Sequence, residues 1–390
     1  MDWGRFEFVF RLAIDSPALL ITIEAYREAA YNLALPTEWR DELGRLNRVR
    51  AVHGTTALEG NPLSEEQVAE SLDHLDAERH RTREQVQIRN AGIAQDWVRS
   101  RFGNGKAPLQ LEDILQMHRL MTRHSDETDN VPGRFRRHRV VAGTPALGGV
   151  HRGAPPEDVP RLMEMFVTFV NSALVQGEHP VVRALLAHFF LVTIHPFGDG
   201  NGRVSRLVEA AILYQGGYNV HGFYGLSNYF YRNGDEYKRR LQECRRTQPF
   251  DVSPFVNFAL AGFAAELGGI NNFIKTKLNR LVYRDTMLKA YNRRAGKRRR
   301  VLNDREYRLL TFLLDETEPE DPFAERPSKQ VSFADLLASP YVRSAYRSVT
   351  PRTFRRELVR LADLGFILFT VPGGADHPII ELDLSAIGRY

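Results

Sequence analysis

His195-Pro196-Phe197-Gly198-Asp199-Gly200-Asn201-Gly202-Arg203-Val204-Ser205-Arg206 is the stretch on which the reading of this chain turns. The residues before it, Pro180 to Ile194, are apolar almost all round. That is the composition of a helix at the centre of a core, not one lying on its surface. Proline suits the first turn of such a helix, and Pro196 disfavours its continuation. The segment therefore joins two helices through a glycine-rich turn. Gly198, Gly200 and Gly202 allow close backbone approach, and the free N–H groups opening the next helix suit an anion. Arg203 and Arg206 are three apart and share a helical face, where their forked donors match phosphate oxygens. Asp199 offers a hard oxygen ligand for Mg²⁺, which commonly bridges a carboxylate and a substrate phosphate. His195, at the mouth of the turn, exchanges a proton near neutral pH. Each feature taken singly has an ordinary structural explanation. Together within twelve residues they describe a Mg-nucleotide site with a histidine base.

Working outward, Thr37 to Arg50 carries Trp39, Leu43, Leu46 and Val49 at helical spacing. Residues 1–100 as a whole read as helices. Ser64 to Gln67 is a capping box, and residues 111–124 and 157–176 are helical in pattern. Val131 to Pro156 holds five glycines and four prolines and reads as a β-hairpin or flap. Helices continue to about 280. Beyond 300, helices at about 304–316, 332–338 and 351–364 precede a strand, a turn at Pro372-Gly373-Gly374 and a second strand, the order of a winged helix-turn-helix. Thr350 caps the last helix, with Pro351 in its first turn. Arg352, Arg355, Arg356 and Arg360 are expected largely outward from it.

The 390 residues imply two to three domains at about 150 residues each. Apolar residues make up 43% and charged residues 26%, which excludes collagen, a coiled-coil rod and a wholly disordered chain. A single cysteine, Cys244, excludes an intrachain disulfide and an all-cysteine zinc site. The N-terminus lacks a basic segment followed by an apolar one, so no signal peptide is expected and the cytoplasm is the expected compartment. No apolar run approaches the roughly 18–20 residues of a membrane span. Net charge is +5, yet residues 275–300 hold 11 Lys or Arg against one acid. Such a run suits a solvated face, or an anionic partner such as nucleic acid.

The run from His195 to Arg206 resembles the Fic domain motif, His-x-Phe-x-Asp/Glu-Gly-Asn-Gly-Arg-x-x-Arg, at every defined position. The likeness spans roughly residues 1–255, taking in Gly133-Arg134-Phe135-Arg136, Val140 to Gly143, Tyr229-Phe230 and Tyr237 to Leu241. It implies an all-α, Fic-type helical core with a small β-hairpin flap, followed by a C-terminal winged helix. The expected divisions are an N-terminal helical extension (1–105), a catalytic core (106–255), a basic helical linker (256–300) and the winged helix (301–390). The implied activity is transfer of AMP from ATP to a Ser, Thr or Tyr hydroxyl of a target protein, with Mg²⁺. His195 would be the general base and Asp199 the Mg²⁺ ligand. Gly200, Asn201 and Gly202 would form the anion nest, with Asn201 also on the α-phosphate, Arg203 on the β- and Arg206 on the γ-phosphate. Tyr237, Lys238 and Arg245 would meet the base and ribose. Val140, Val141, Ala142 and Gly143 would align the target chain by strand-like pairing.

Thr55-Thr56-Ala57-Leu58-Glu59-Gly60 resembles the family's inhibitory motif, Ser/Thr-x-x-x-Glu-Gly/Asn, through Thr55 and Glu59. From composition alone the same stretch is a helix ending at a glycine. The resemblance implies that Glu59 pairs with Arg206 and takes γ-phosphate space. Keeping about 1% of molecules active needs about 2.7 kcal/mol, within reach of a charge-assisted contact. Two rival readings stand beside this one: a nucleotide-sensing DNA-binding regulator, and an enzyme that removes AMP from modified targets. Self-modification and a homodimer stay open. DNA binding through the winged helix is the less favoured use of that module, because winged helices also dock proteins.

Overall fold

The computed structural model describes residues 2–33, 35–74, 82–103, 107–124, 129–218, 226–294, 300–319, 331–370 and 378–389. They form two compact units, Met1–Leu267 and Gly268–Tyr390. Among the described residues no helix is long and apolar enough to cross a membrane.

The first unit opens with β1 (Phe10–Arg11), α1 (Pro17–Asn32), α2 (Thr37–Ala57), α3 (Glu65–Asp73), α4 (Arg83–Phe102) and α5 (Leu111–Thr122). The flap follows as β2 (Val141–Ala142) and β3 (His151–Arg152), then α6 (Val159–Val170), α7 (Ala173–Gln176), α8 (Pro180–Ile194) and α9 (Asn201–Gln215). After α10 (Leu226–Arg232), α11 (Gly234–Cys244) and β4 (Phe250–Asp251), α12 runs from Ser253 to Asn292. Its residues up to Leu267 belong to the first unit and the remainder to the second.

At the centre lie α8 and α9, packed on each other. Every residue of α8 from Val181 to Ile194 except Arg183 is buried, as a helix apolar all round requires. Helices α2, α4 and α5 pack against α9. Gly54 lets α2 approach α10, since a Cβ there would stand 2.7 Å from the Asn228 backbone. The Ser64 capping box forms as expected.

Two local readings are corrected. Residues 2–16 hold no α-helix: Trp3–Arg5 is a 3₁₀ turn, and β1 pairs in parallel with β4, Phe10 opposite Phe250. The reason is tertiary. Phe8 packs on Phe166, Phe169 and Phe190, and Phe6 on Phe250, an aromatic cluster that draws the segment extended across the core. The helix expected over 157–176 is broken after Val170. Asn171 donates to the Leu109 and Val167 carbonyls, and Ser172 caps α7 through the Val175 N–H.

The second unit contains the rest of α12, then α13 (Asp304–Glu316), β5 (Val331–Ser332), α14 (Phe333–Ala338), α15 (Pro340–Ala345), α16 (Pro351–Asp363), β6 (Ile367–Thr370) and β7 (Ile379–Leu382). Its antiparallel sheet has the order β5-β7-β6. Tyr283, Met287 and Ala290 of α12 join Leu309, Leu313, Phe354, Leu358 and Phe366 in the core, and the Tyr283 hydroxyl donates to the Phe366 carbonyl at 2.6 Å. Thr350 caps α16 as expected. Arg352, Arg355 and Arg356 are exposed, and Arg360, its side chain 43% exposed, also donates to Glu306 and to the Val301 carbonyl. The turn at Pro372-Gly373-Gly374 lies outside the described residues, as do Lys297, Arg298 and Arg299 of the basic run. Most of the described cations of that run face acids, Arg280 with Glu318, Arg284 with Asp315, Lys289 with Asp285 and Arg300 with Asp304.

Candidate active site

Helix α8 stops at His195, whose backbone is left-handed (φ 57°, ψ 60°). A non-glycine residue costs about 1–2 kcal/mol there, so neighbouring bonds must hold it. Arg136 does so: its Nε donates to the His195 carbonyl at 2.8 Å, its other nitrogens to the carbonyls of His138 and Ala154, and its backbone N–H to Pro196. The His195 Nδ1 faces the Val192 carbonyl at 3.3 Å. A carbonyl only accepts, so the proton sits on Nδ1 and the Nε2 lone pair is left outward. Burial pushes the imidazole down to about 4, against the upward pull of the Val192 bond, with Arg245 and Arg136 adding to the fall. The ring is therefore neutral at physiological pH, the state a proton acceptor needs.

The turn is stitched by its own atoms. Gly200, at φ 80°, precedes the first residue of α9. Asn201 is buried, and its amide accepts from the Phe197 N–H at 2.9 Å and donates to the Phe197 carbonyl at 2.8 Å. Its side chain thus shapes the loop, leaving the backbone N–H groups at the start of α9 as the anion-facing donors. His118 of α5 lies flat on Phe197, ring centroids 3.8 Å apart. Its Nδ1 accepts from the Gly133 N–H at 2.9 Å, so its Nε2–H donates to Asn130 Oδ1 (3.1 Å) and the Asp199 carbonyl (3.2 Å). Asn130 Oδ1 also accepts from the Asp199 N–H. Burial lowers His118 to about 4 and keeps it neutral in this role.

Asp199 stands at the loop's edge with one carboxylate oxygen on Arg203, whose side chain is buried. Its second oxygen makes no hydrogen bond within the described residues. Arg206 is only 2% exposed. It donates from Nε to the Thr55 hydroxyl (2.8 Å) and from Nη2 to the Thr55 carbonyl (3.0 Å) and Glu59 Oε1 (2.7 Å). Glu59 lies just past α2, before Gly60 turns the chain with φ 93°. A Cβ on Gly202 would overlap the Glu59 carboxylate, so the loop glycine makes the space that this anion fills. Burial raises the Glu59 carboxyl, but the charges of Arg206 and Arg203 outweigh that and hold it below the ordinary carboxylate range.

His195, Asp199, Gly200, Asn201, Gly202, Arg203 and Arg206 thus share one loop, and Thr55 and Glu59 reach it from α2. Tyr237 and Arg245 are nearby but engaged: the Tyr237 hydroxyl meets His188 Nε2 at 2.9 Å, and Arg245 donates to Thr193 Oγ1 and the Val192 carbonyl, both at 3.1 Å. Lys238 is half-exposed on α11. In the flap, Val141 pairs with Arg152 and Ala142 with His151, Val140 accepts from the Gly153 N–H, and Gly143 adopts φ 86°. Sequence reasoning missed three positioning residues, His118, Asn130 and Arg136. Only Arg136 left a trace, inside Gly133-Arg134-Phe135-Arg136; a lone histidine on α5 carries no such signal. Among the described residues no cluster of three His, Cys, Asp or Glu could hold a metal unaided.

The Fic/DOC family model matches residues 108–213. Over 168 residues the chain is 34% identical to a protein adenylyltransferase Fic of Drosophila ananassae, covering 43% of this chain and 32% of that protein. The same-named protein of Aedes aegypti is 33% identical over 171 residues, covering 44% and 33%. The chain thus spans about a third of the length of these curated relatives. A Fic family protein from Desulfovibrio desulfuricans G20 shares the fold over 95% of this chain and 97% of its own (TM-score 0.54, 21% identity). A Fic-1 structure from C. elegans matches 64% of this chain and 70% of its own, with TM-score 0.52 and 25% identity. The motif loop, intact in sequence and folded as one glycine turn, lies inside residues 108–213, the part of the chain that matches the Fic/DOC family model.

Proposed function

We propose that this protein moves AMP from ATP to a Ser, Thr or Tyr hydroxyl of a protein target and is held off by Glu59. The observation that carries the reading is the carboxylate of Glu59 on Arg206 and over Gly202, in the place where a loop built for phosphates meets its anion. His195 Nε2 takes the proton of the target hydroxyl as its oxygen bonds to the α-phosphorus, and pyrophosphate leaves with the electron pair of the broken P–O bond. The backbone N–H groups opening α9, with Arg203 and Arg206, bind the phosphates and the charge that gathers on the leaving group. Asp199 suits Mg²⁺: one part-exposed carboxylate with a free oxygen is the usual protein share of a site completed by phosphates and water. The ion supplies charge neutralisation across the phosphates. Tyr237, on His188, and Arg245, on Thr193 and Val192, support the wall behind His195, and Lys238 would meet the base or ribose.

Glu59 and the phosphates compete for the same donors on Arg206, so inhibition and ATP binding are mutually exclusive at that residue. For the second unit, the element order and the β5-β7-β6 sheet support a winged helix. Winged helices dock proteins as well as DNA, and protein docking is the favoured use here. Labelled ATP and Mg²⁺ given to the Glu59→Gly protein in lysate test the whole reading. Label on protein, absent when His195→Ala is added, is the expected result. Label that persists without His195, or ATP bound with no protein labelled, would overturn it.

A further inference from the structure

The groove beside the flap carries charge that this reaction does not use. Arg139, Arg152, Arg245 and Arg246 line it, and among the described residues no aspartate or glutamate does. Arg245 is tied to Thr193 and Val192, but Arg139, Arg152 and Arg246 are exposed and have no acidic partner among the described residues. Nearby on α11 the opposite holds: Arg239 and Arg240 both pair with Glu236. Three unpaired like charges around one groove repel one another until an anion enters.

The flap supplies the frame. Val141 stands opposite Arg152 in the ribbon, so the two share a face, and Val141 is 60% exposed. Its neighbour His151 is buried on the other face, where Nε2 donates to the Thr193 carbonyl at 2.7 Å. A two-stranded ribbon also leaves unpaired backbone for an added strand. A Cβ on Gly153 would stand 3.0 Å from both the His195 Cβ and the Val140 side chain, which places the ribbon's base against the histidine.

Resting on the reading above, we infer that the target presents its hydroxyl within an extended, acidic segment, selected by Arg139, Arg152 and Arg246. The segment's Asp and Glu residues flank the modified hydroxyl and pair with these arginines while its backbone lies along the ribbon.

The test uses the full chain with Glu59→Gly and matched peptides carrying one Thr flanked by acidic, neutral or basic residues. Transfer should favour the acidic peptide over the neutral one by roughly tenfold, the scale three exposed ion pairs supply, and the preference should shrink with salt. Changing Arg139, Arg152 and Arg246 to Glu should reverse the ranking, and changing them to Gln should flatten it, while ATP affinity stays unchanged. Equal rates for all peptides, or an unaltered ranking in both variants, would overturn the inference and leave the transferase reading intact. A loss of ATP affinity would overturn it too, because the groove would then serve the nucleotide. If ATP binds and no peptide is labelled, the transferase reading fails. The same peptides' binding, followed by fluorescence anisotropy, then decides the inference separately: acidic preference lost in the Gln variant supports it, and equal binding overturns it.

Discussion

Both units set arginine against glutamate, with the burial reversed. In the first, Arg206 is enclosed and Glu59 is the open partner, their side chains 2% and 39% exposed. In the second, Glu306 and Glu357 are enclosed at 1% and 8%, and Arg360 and Arg305 are open at 43% and 42%. A buried charge needs its partner, and removing that partner leaves an uncompensated ion. In the second unit both buried carboxylates have further fixed donors, the Asn303 N–H on Glu306 and the Tyr346 hydroxyl on Glu357. These are structural pairs that lock α13 to α16. In the first unit the buried ion is the cation, held by Thr55. On the function proposed above, a phosphate would take the place of Glu59 on Arg206, so that pair would exchange its anion where the second unit's pairs stay fixed.

The largest expected effect tests what the swappable pair guards. His195→Ala should lower transfer by about 10²–10⁴-fold with ATP affinity nearly unchanged, read by single-turnover labelling beside equilibrium binding. Parental rates would remove the base from the account. Next comes the pair itself. Glu59→Gly should raise transfer roughly a hundredfold if about 1% of the wild-type molecules are active, and should lower the melting temperature in the absence of nucleotide, because the buried Arg206 loses its anion. Adding Arg206→Ala should take back much of that gain. A wild-type rate in the Glu59 variant, its fold intact, breaks the comparison at its first term.

The structural pair should answer in stability instead. Arg360→Ala leaves Glu306 buried without its cation and should cost the second unit about 3 kcal/mol, visible as a lowered unfolding transition. Labelling by the first unit in the Glu59→Gly background should hold. A second unit indifferent to this change would mean that burial does not separate the two kinds of pair.

The smallest effect is a shift along the pH axis. On the proposed function, His195 is the proton acceptor once Glu59 is replaced, and burial has moved it to about 4. Its neutral form is the active one, present above that value and lost as pH falls through it. The rate should therefore stay level from about pH 8 down to about 5 and drop below that. A midpoint near 6.5, the ordinary histidine value, would mean that the ring is far more solvated than the loop geometry gives.

Sequence alone settled what depends on short-range chemistry. The central helix before His195, the glycine turn, the two arginines three apart, the Ser64 capping box and the helices at about 304–316 and 351–364 are written in local pattern, because backbone strain, capping and helical periodicity act over a few residues. The family motif extended that reading to residues far apart, bringing Thr55 and Glu59 to Arg206. Tertiary structure decided the rest. The extended run at Phe10 follows from aromatic rings gathered across the chain, and Arg136 and His118 became loop supports because packing brought them to carbonyls 59 and 81 residues away. Asn201 turned inward to Phe197, and Arg360 turned toward Glu306. Each of these choices depends on which buried polar group lacks a partner once the helices have packed, and no spacing along the chain records that need.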